Sequence, residues 1–153
     1  MTASIVIQSM FTVRREYPVP PARVFAAFAD VNQKRKWFNP PPDWNQDHAM
    51  DFRVGGKEHS YGGPKGGQVH KFDAVYQDIV PNERIIYTYD MHLDDTRISV
   101  SLAVIEFKAK SGGTEIVITE HGAYLDGHSD GAASREHGTN WLIDKMGETL
   151  PAK

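Results

Sequence analysis

Residues 97–104 read RISVSLAV, and apolar side chains alternate in this stretch with polar or small ones. A period of two residues is typical of a β-strand that buries one face. The aliphatic side chains of the even positions are predicted to point into a core: Ile98, Val100, Leu102 and Val104. The other face then carries Arg97, Ser99 and Ser101 and is predicted to lie in solvent. This strand indicates a sheet with one buried side.

Stretches with the same period lie on both sides of this strand. Gly, Pro, Asn and Asp separate them, and these residues suit tight turns. The further predicted strands cover residues 12–17, 50–54, 57–61, 69–80, 84–93 and 114–121. We therefore expect an antiparallel meander in which each strand pairs with the next.

Helical spacing appears before and after the meander. Residues 21–29 place Val24, Phe25 and Phe28 on one face, with prolines at the start where a helix tolerates them. A second short helix is predicted at residues 33–38, and a long one at residues 131–150. The predicted fold class is α+β, a helix-grip fold. In it a curved antiparallel sheet wraps around a long C-terminal helix, with two short helices after the first strand. Residues 1–153 are expected to form one domain, with the first ten residues disordered.

The composition of the chain excludes several classes of binding partner and of chemistry. The chain has 17 basic and 20 acidic residues, and its longest basic run is Lys34 to Lys36, so nucleic acid is not expected as a partner. No apolar run reaches the roughly 18 residues that a membrane span needs, and we expect a cytoplasmic protein without a span. The absence of cysteine excludes thiolate catalysis and cysteine-bound metal. No cofactor is expected, and a homodimer is compatible with the sequence.

Several short motifs occur in a recognisable order: YPVPPARVF at 17–25, WF at 37–38, DFRVGG at 51–56, DIVPNE at 78–83 and GTEIVITE at 113–120, followed by a helix with Trp141. Together they resemble the branch of the START/polyketide cyclase (SRPBCC, Bet v 1-like) superfamily that is similar to the activator of heat-shock protein 90 ATPase. The resemblance implies a helix-grip fold with a hydrophobic cavity between sheet and C-terminal helix. Such cavities hold lipids, polyketides or flavonoid-like molecules, and some branches catalyse aromatic cyclisation. No shared catalytic motif is implied.

A cavity between sheet and helix would be lined by the inward side chains of both, and ordinary core packing is the alternative for each of them. The predicted ligand-binding residues are Phe25, Phe28, Trp37, Phe52, Phe72, Tyr76, Tyr87, Tyr89, Leu102, Ile118, Gly138, Trp141 and Met146. The three tyrosine hydroxyls each need a hydrogen-bond partner, which a ligand or a buried water would supply. Gly138 thins the helix where a ligand would lie.

Three residues are candidates for acid-base chemistry. The period of two places Glu58 and Glu120 on the inner side of their strands, where burial raises the pKa of a carboxyl. His70 or Arg53 would be a partner, and the alternative is a pair of solvated carboxylates at strand ends. His121 and His128 do not match a metal-ligand spacing, so no metal site is predicted.

Three functions remain open. The first is binding of a small hydrophobic molecule without turnover, because no complete catalytic set is visible. The second is a cyclase-, dehydratase- or hydrolase-like enzyme that uses Glu58, Glu120, His70 or a tyrosine. The third is a co-chaperone-like interaction module. We rank it last, and do not expect a chaperone ATPase as partner, because the predicted outer face has no apolar patch.

Overall fold

A computed structural model describes residues 4–128 and 132–151 of the chain. Its elements follow the predicted order of one strand, two short helices, six strands and a long helix. They are β1 Val6–Tyr17, α1 Pro21–Ala29, α2 Val31–Lys34, β2 Trp44–Met50, β3 Lys57–Pro64, β4 His70–Val80, β5 Arg84–Leu93, β6 Thr96–Lys110, β7 Gly113–Leu125 and α3 Ala132–Thr149. No helix in the described part of the chain is long and apolar enough to cross a membrane.

The seven strands form one curved, fully antiparallel sheet in the order β1-β7-β6-β5-β4-β3-β2. Each strand from β2 to β7 pairs with the next one in sequence, as the meander predicts, and β1 closes against β7. The predicted helix-grip α+β fold is confirmed.

The core lies between the sheet and the helices. In α1, Pro21 occupies the first turn and the buried face carries Val24, Phe25 and Phe28. The rings of Phe25 and Phe28 meet Phe107 of β6 edge-on, at 5.3 and 5.6 Å between ring centroids. This aromatic contact fixes α1 over the sheet.

Helix α3 is anchored through its C-terminal half. Ile143 and Met146 are buried in the core, and the Tyr17 hydroxyl donates to the Ile143 carbonyl at 3.1 Å. Arg15 of β1 donates to Asp144 at 3.0 Å and to Asn140 at 2.7 Å. These contacts hold α3 against β1.

The predicted facing of β6 is wrong beyond Ile98. Met91 of β5 pairs with Ser99 and His92 pairs with Arg97, so Ile98 is an extra residue between two pairs, as in a β-bulge. Ile98 and Ser99 are both buried, and from there the odd-numbered positions face inward: Ser99, Ser101, Ala103, Ile105 and Phe107.

The bulge also changes the outer face of the sheet. Val100 and Leu102 point outward and are 42% and 37% exposed. Met10 of β1, 58% exposed, lies two strands away from Leu102, with their common partner His121 of β7 between them. The outer face therefore carries exposed apolar side chains, contrary to the prediction that ranked an interaction module last.

Other boundaries also differ from prediction. β1 begins at Val6 and its first residues pair with β7, so residues 6–10 are ordered in a strand rather than disordered. β2 ends at Met50, and residues 51–56 form a turn in which Gly55 has a φ of +83°. Phe52 thus lies in a turn, not in the predicted strand. Helix α2 ends at Lys34, and a turn carries the chain on to Trp37.

Candidate functional site

A cavity of about 630 Å³ lies between the inner face of the sheet and α3, within the range usual for small-molecule sites. Its wall is mostly aromatic and aliphatic. The predicted ligand-binding residues that line it are Phe28, Trp37, Phe72, Tyr87, Tyr89, Ile118, Gly138 and Trp141, and the predicted acid-base candidates that line it are His70 and Glu120. Whether these side chains contact a ligand remains a prediction.

The remaining predicted residues lie elsewhere. Phe25, Tyr76 and Met146 are buried in the packed core, and Phe52 packs against that core from its turn. Leu102 lies on the outer face of β6 because of the bulge, so its assignment to the cavity is wrong. Glu58 is buried behind the wall and does not line the cavity.

The wall includes residues that the sequence did not indicate as a site. These are Lys34, Phe38, Pro40, Pro41, Trp44, Met91, Leu93, Ile98, Ile105, His128, Ser134, Arg135, Thr139, Leu142 and Ile143. One signal could have found Arg135: it precedes Gly138 by three residues and Leu142 by seven, which is the spacing of a single helix face. Its charge assigns it to solvent by default.

Part of the cavity wall comes from the segment between α2 and β2 and from the first residue of β2. Pro40 and Pro41 of this segment and Trp44 of β2 line the cavity, and the Trp44 ring stacks on His70 of β4 at 4.9 Å with an interplanar angle of 25°. A smaller pocket of about 240 Å³ adjoins it and shares these aromatic walls. Trp141 of α3 also lines the cavity, and half of its surface is exposed. This part of the wall is therefore aromatic and partly open to solvent.

Glu58 is held in a buried ion network. Its carboxylate accepts hydrogen bonds from Lys34 Nζ at 2.7 Å, from the Tyr76 hydroxyl and from His48 Nε2 at 2.8 Å. Arg35 donates to His48 Nδ1 at 3.2 Å, so the proton of the neutral ring lies on Nε2. Burial alone raises the pKa of Glu58, but Lys34, His48 and Tyr76 outweigh it and lower that pKa to about 2. A carboxylate with three donors is an anchor and a poor general acid.

Glu120 has a different environment, in the wall itself. The Tyr89 hydroxyl donates to its carboxyl group and in turn accepts from Arg135 Nη1 at 3.0 Å. Burial raises the pKa of Glu120, while the Tyr89 hydrogen bond and the charge of Arg135 oppose the rise. Burial and the neighbouring carboxylate raise the pKa of Tyr89 as well, so its hydroxyl stays protonated. Glu120 is thus a buried carboxyl group of the wall with a raised pKa.

One group of possible metal ligands comes together in the described part of the chain, outside the cavity. The ligand atoms of Asp73, Asp90 and His92 lie within 4.8 Å of one another on the outer face of β4 and β5. Asp73 already accepts from the Tyr61 hydroxyl at 2.7 Å, and Asp90 lies 3.3 Å from Arg97 Nη2. These partners compete with a metal ion for the carboxylates, and the group has no part in the cavity.

Comparison with known proteins agrees with the fold of the chain. The family model described as activator of Hsp90 ATPase homolog 1-like protein matches residues 18–151. A protein of Rhizobium leguminosarum with a solved structure is 41% identical, with 97% of each chain covered and a TM-score of 0.90. The Mll3558 protein of Rhizobium loti is 40% identical, with 95% of this chain and 99% of that chain covered and a TM-score of 0.90.

A third solved structure, protein CV1439 of Chromobacterium violaceum, is 25% identical and has a TM-score of 0.78, with 94% of this chain and 98% of that chain covered. The search of curated proteins found no match. The family model spans nearly the whole chain, and the two rhizobial structures share its fold over almost their full length. The chain therefore belongs to the family of activator of Hsp90 ATPase homolog 1-like proteins.

Proposed function

We propose that this protein binds a small hydrophobic molecule, of the lipid, flavonoid or polyketide type, in the cavity between its sheet and α3. The observation that supports this most is the cavity of about 630 Å³ with its aromatic and aliphatic wall. Protein interiors are normally packed as tightly as organic crystals, and atoms that face a void lose dispersion contacts. A bound apolar molecule restores these contacts.

The wall also has the mixture of groups that ligand sites use. Tyr87, Tyr89 and Phe72 present aromatic faces within 6.4 Å of one another. One set of polar groups, Arg135 and Glu120, is joined through the Tyr89 hydroxyl at one place in the wall. A mostly apolar wall with a few fixed polar groups binds one ligand in a defined orientation, whereas a purely apolar wall binds hydrophobic molecules without specificity.

Thermal unfolding against a panel of fatty acids, flavonoids, aromatic polyketides and sterols tests the proposal. A ligand at a hundred times its Kd adds about 2.7 kcal/mol of stability, so the melting temperature rises for one class of compound. The matched variants are Gly138→Ala and Gly138→Leu. A Cβ at Gly138 meets nothing within 4 Å, so Ala leaves room for the ligand, whereas Leu extends into the cavity.

We expect the shift in wild type and Gly138→Ala and its loss in Gly138→Leu. An equal shift in all three proteins would place the ligand elsewhere and refute the cavity as its site. No shift with any compound would favour the interaction-module alternative. That alternative predicts a changed ATP turnover when the protein is added to an Hsp90-type ATPase.

A second function, acid-base catalysis on the bound molecule, is favoured by the position of Glu120. Its carboxyl group lies in the wall, hydrogen-bonded to Tyr89, and burial raises its pKa toward the range of a general acid. A compound that stabilises the protein should then be converted by wild type and not by Glu120→Gln, as followed by mass spectrometry. Recovery of the unchanged compound from wild type would leave binding as the function.

A further inference from the structure

The polar end of the cavity contains a cation, Arg135, whose described hydrogen-bond partners are all uncharged. Arg135 Nη2 donates to Ser99 Oγ at 2.9 Å, and Nη1 donates to Tyr89 at 3.0 Å and to Ser101 Oγ at 3.5 Å. Its guanidinium carbon lies 5.6 Å from the Tyr89 ring and 5.4 Å from the Tyr124 ring. Within residues 4–128 and 132–151, no carboxylate oxygen comes within 4.0 Å of it.

The lysine of the wall, Lys34, already has a partner of opposite charge. Lys34 Nζ lies 2.7 Å from Glu58, and both side chains are buried. Glu120 is joined to Arg135 only through the Tyr89 hydroxyl. A charged group in an apolar site is stabilised by a partner of opposite charge. Of the two cations, Arg135 is therefore the one with capacity for a ligand.

Small side chains of β6 lie opposite Arg135. The bulge at Ile98 places Ser99, Ser101 and Ala103 on the inner face of β6, and the hydroxyls of Ser99 and Ser101 accept from the guanidinium. A guanidinium has five N–H donors, and the described residues accept from Nη1 and Nη2 alone. Its planar fork matches the two oxygens of a carboxylate.

We propose that the ligand is an amphipathic anion, an apolar compound with one carboxylate that binds Arg135 while its hydrocarbon or aromatic part fills the aromatic end of the cavity. This rests on the proposed function and narrows it to one chemical class. The carboxylate accepts from the remaining N–H donors of Arg135, and the apolar part lies against Phe72, Tyr87 and Trp141, which line the same cavity.

Matched pairs of probes test this by calorimetric titration at neutral pH: decanoate against decanol, and naphthoate against naphthylmethanol. The proteins are wild type, Arg135→Gln, Arg135→Lys and Lys108→Gln. Lys108 is exposed on β6, so its variant removes the same charge away from the cavity. Circular dichroism confirms that each variant is folded.

We expect wild type and Lys108→Gln to bind each carboxylate roughly tenfold more tightly than the matching alcohol, because hydrogen bonds to charged groups are the strong ones. Arg135→Gln should remove this preference without weakening the alcohols, and Arg135→Lys should keep part of it. Equal affinity of wild type for acid and alcohol, or an equal loss of both in Arg135→Gln, would overturn the inference and leave the proposed function standing. No binding of any probe would overturn both.

Discussion

Glu58 shows how a buried charge is kept at a position with no role in the cavity. Lys34, His48 and Tyr76 surround its carboxylate, and the side chains of Lys34, His48 and Glu58 are at most 7% exposed. Ion pairs of this kind seldom add much to stability compared with apolar residues, but removing one member leaves the other unpaired. The network joins α2, β2, β3 and β4, and it fixes the end of α2, from which a turn leads to Trp37 in the cavity wall.

Glu58→Gln should lower the free energy of unfolding at neutral pH by about 3–5 kcal/mol, because Lys34 is left as an uncompensated buried charge. Replacing both groups, as Lys34→Met with Glu58→Gln, should recover most of that loss. Urea unfolding measures the free energy of unfolding of wild type, the single variant and the double variant. If the single and double variants lost the same free energy, desolvation of Lys34 would not be the cause.

The same network predicts that the protein loses stability at acidic pH. The pKa of Glu58 is lowered from 4.5 in the unfolded chain to about 2, so its charge stabilises the fold above pH 4.5. That stabilisation, on the order of 3 kcal/mol, is lost as the pH falls from 4.5 toward 2. Wild type should therefore lose more stability over this interval than the double variant does. Parallel acid profiles of the two would contradict the lowered pKa.

At the scale of the element, β6 forms the part of the sheet that contacts Arg135 at the polar end of the cavity. Its small inward side chains oppose Tyr89 and Tyr87 of β5 and Glu120 of β7, since Ser101 pairs with Tyr89 and Ala103 pairs with Tyr87 and Glu120. The neighbouring aromatic side chains fill the space that Ala103 leaves. Which face of β6 points inward thus determines the shape of the polar end.

Ala103→Leu should destabilise the protein by about 1–3 kcal/mol, because Ala103 is fully buried between filled positions and the added atoms overpack the core. Leu102→Ser, on the exposed face, should change stability by about 0.5 kcal/mol or less. Denaturant unfolding compares the two. The opposite ranking is what the sequence period alone predicts, and observing it would mean that the bulge at Ile98 is not formed.

The strand also shows where sequence reasoning succeeds and where it stops. Within β4 and within β5 the aromatic side chains all alternate on one face, and the inward facing of Phe72, Tyr76, Tyr87 and Tyr89 is as predicted. In residues 97–104 the aliphatic side chains lie on the even positions, and a single unpaired residue reverses their facing. A bulge depends on how two strands pair, and no local period encodes it. The strand boundary at Met50 was missed because Phe52 and Val54 continue the period of two through a turn.

The sequence also predicts only part of the cavity wall, because local patterns do not show which charged side chains point inward. Aromatic residues such as Phe28, Tyr87 and Tyr89 are assigned to the interior by size and polarity alone, and they do line the cavity. Arg135 was missed because a charged side chain on a helix is normally solvated. Only the tertiary arrangement, with small side chains on β6 opposite it, indicates that this arginine points inward. The polar end of a cavity is therefore the part that a single sequence predicts least well.

At the scale of the whole molecule, one part of the interior is a packed core and another part contains the cavity. Phe25, Phe107, Ile116 and Met146 form part of a continuous core under α1 and the C-terminal half of α3. The part of α3 that contains Arg135, Gly138 and Trp141 covers the cavity, which reaches as far as Ile143. Local opening requires less free energy where few apolar contacts are broken. The two halves of one helix should therefore differ in their protection from solvent.

Native-state hydrogen exchange measures this difference along α3. We expect the amides of residues 143–147 to exchange roughly tenfold more slowly than those of residues 137–141, because Ile143 and Met146 are buried and Tyr17 holds the Ile143 carbonyl. Tyr17→Phe removes that hydrogen bond and should speed exchange in residues 143–147 only. Uniform protection along α3 would show that the cavity does not loosen the helix above it. The gradient would instead mean that the fold leaves the wall of its binding site less stable than its anchor, so that a ligand can enter without unfolding the core.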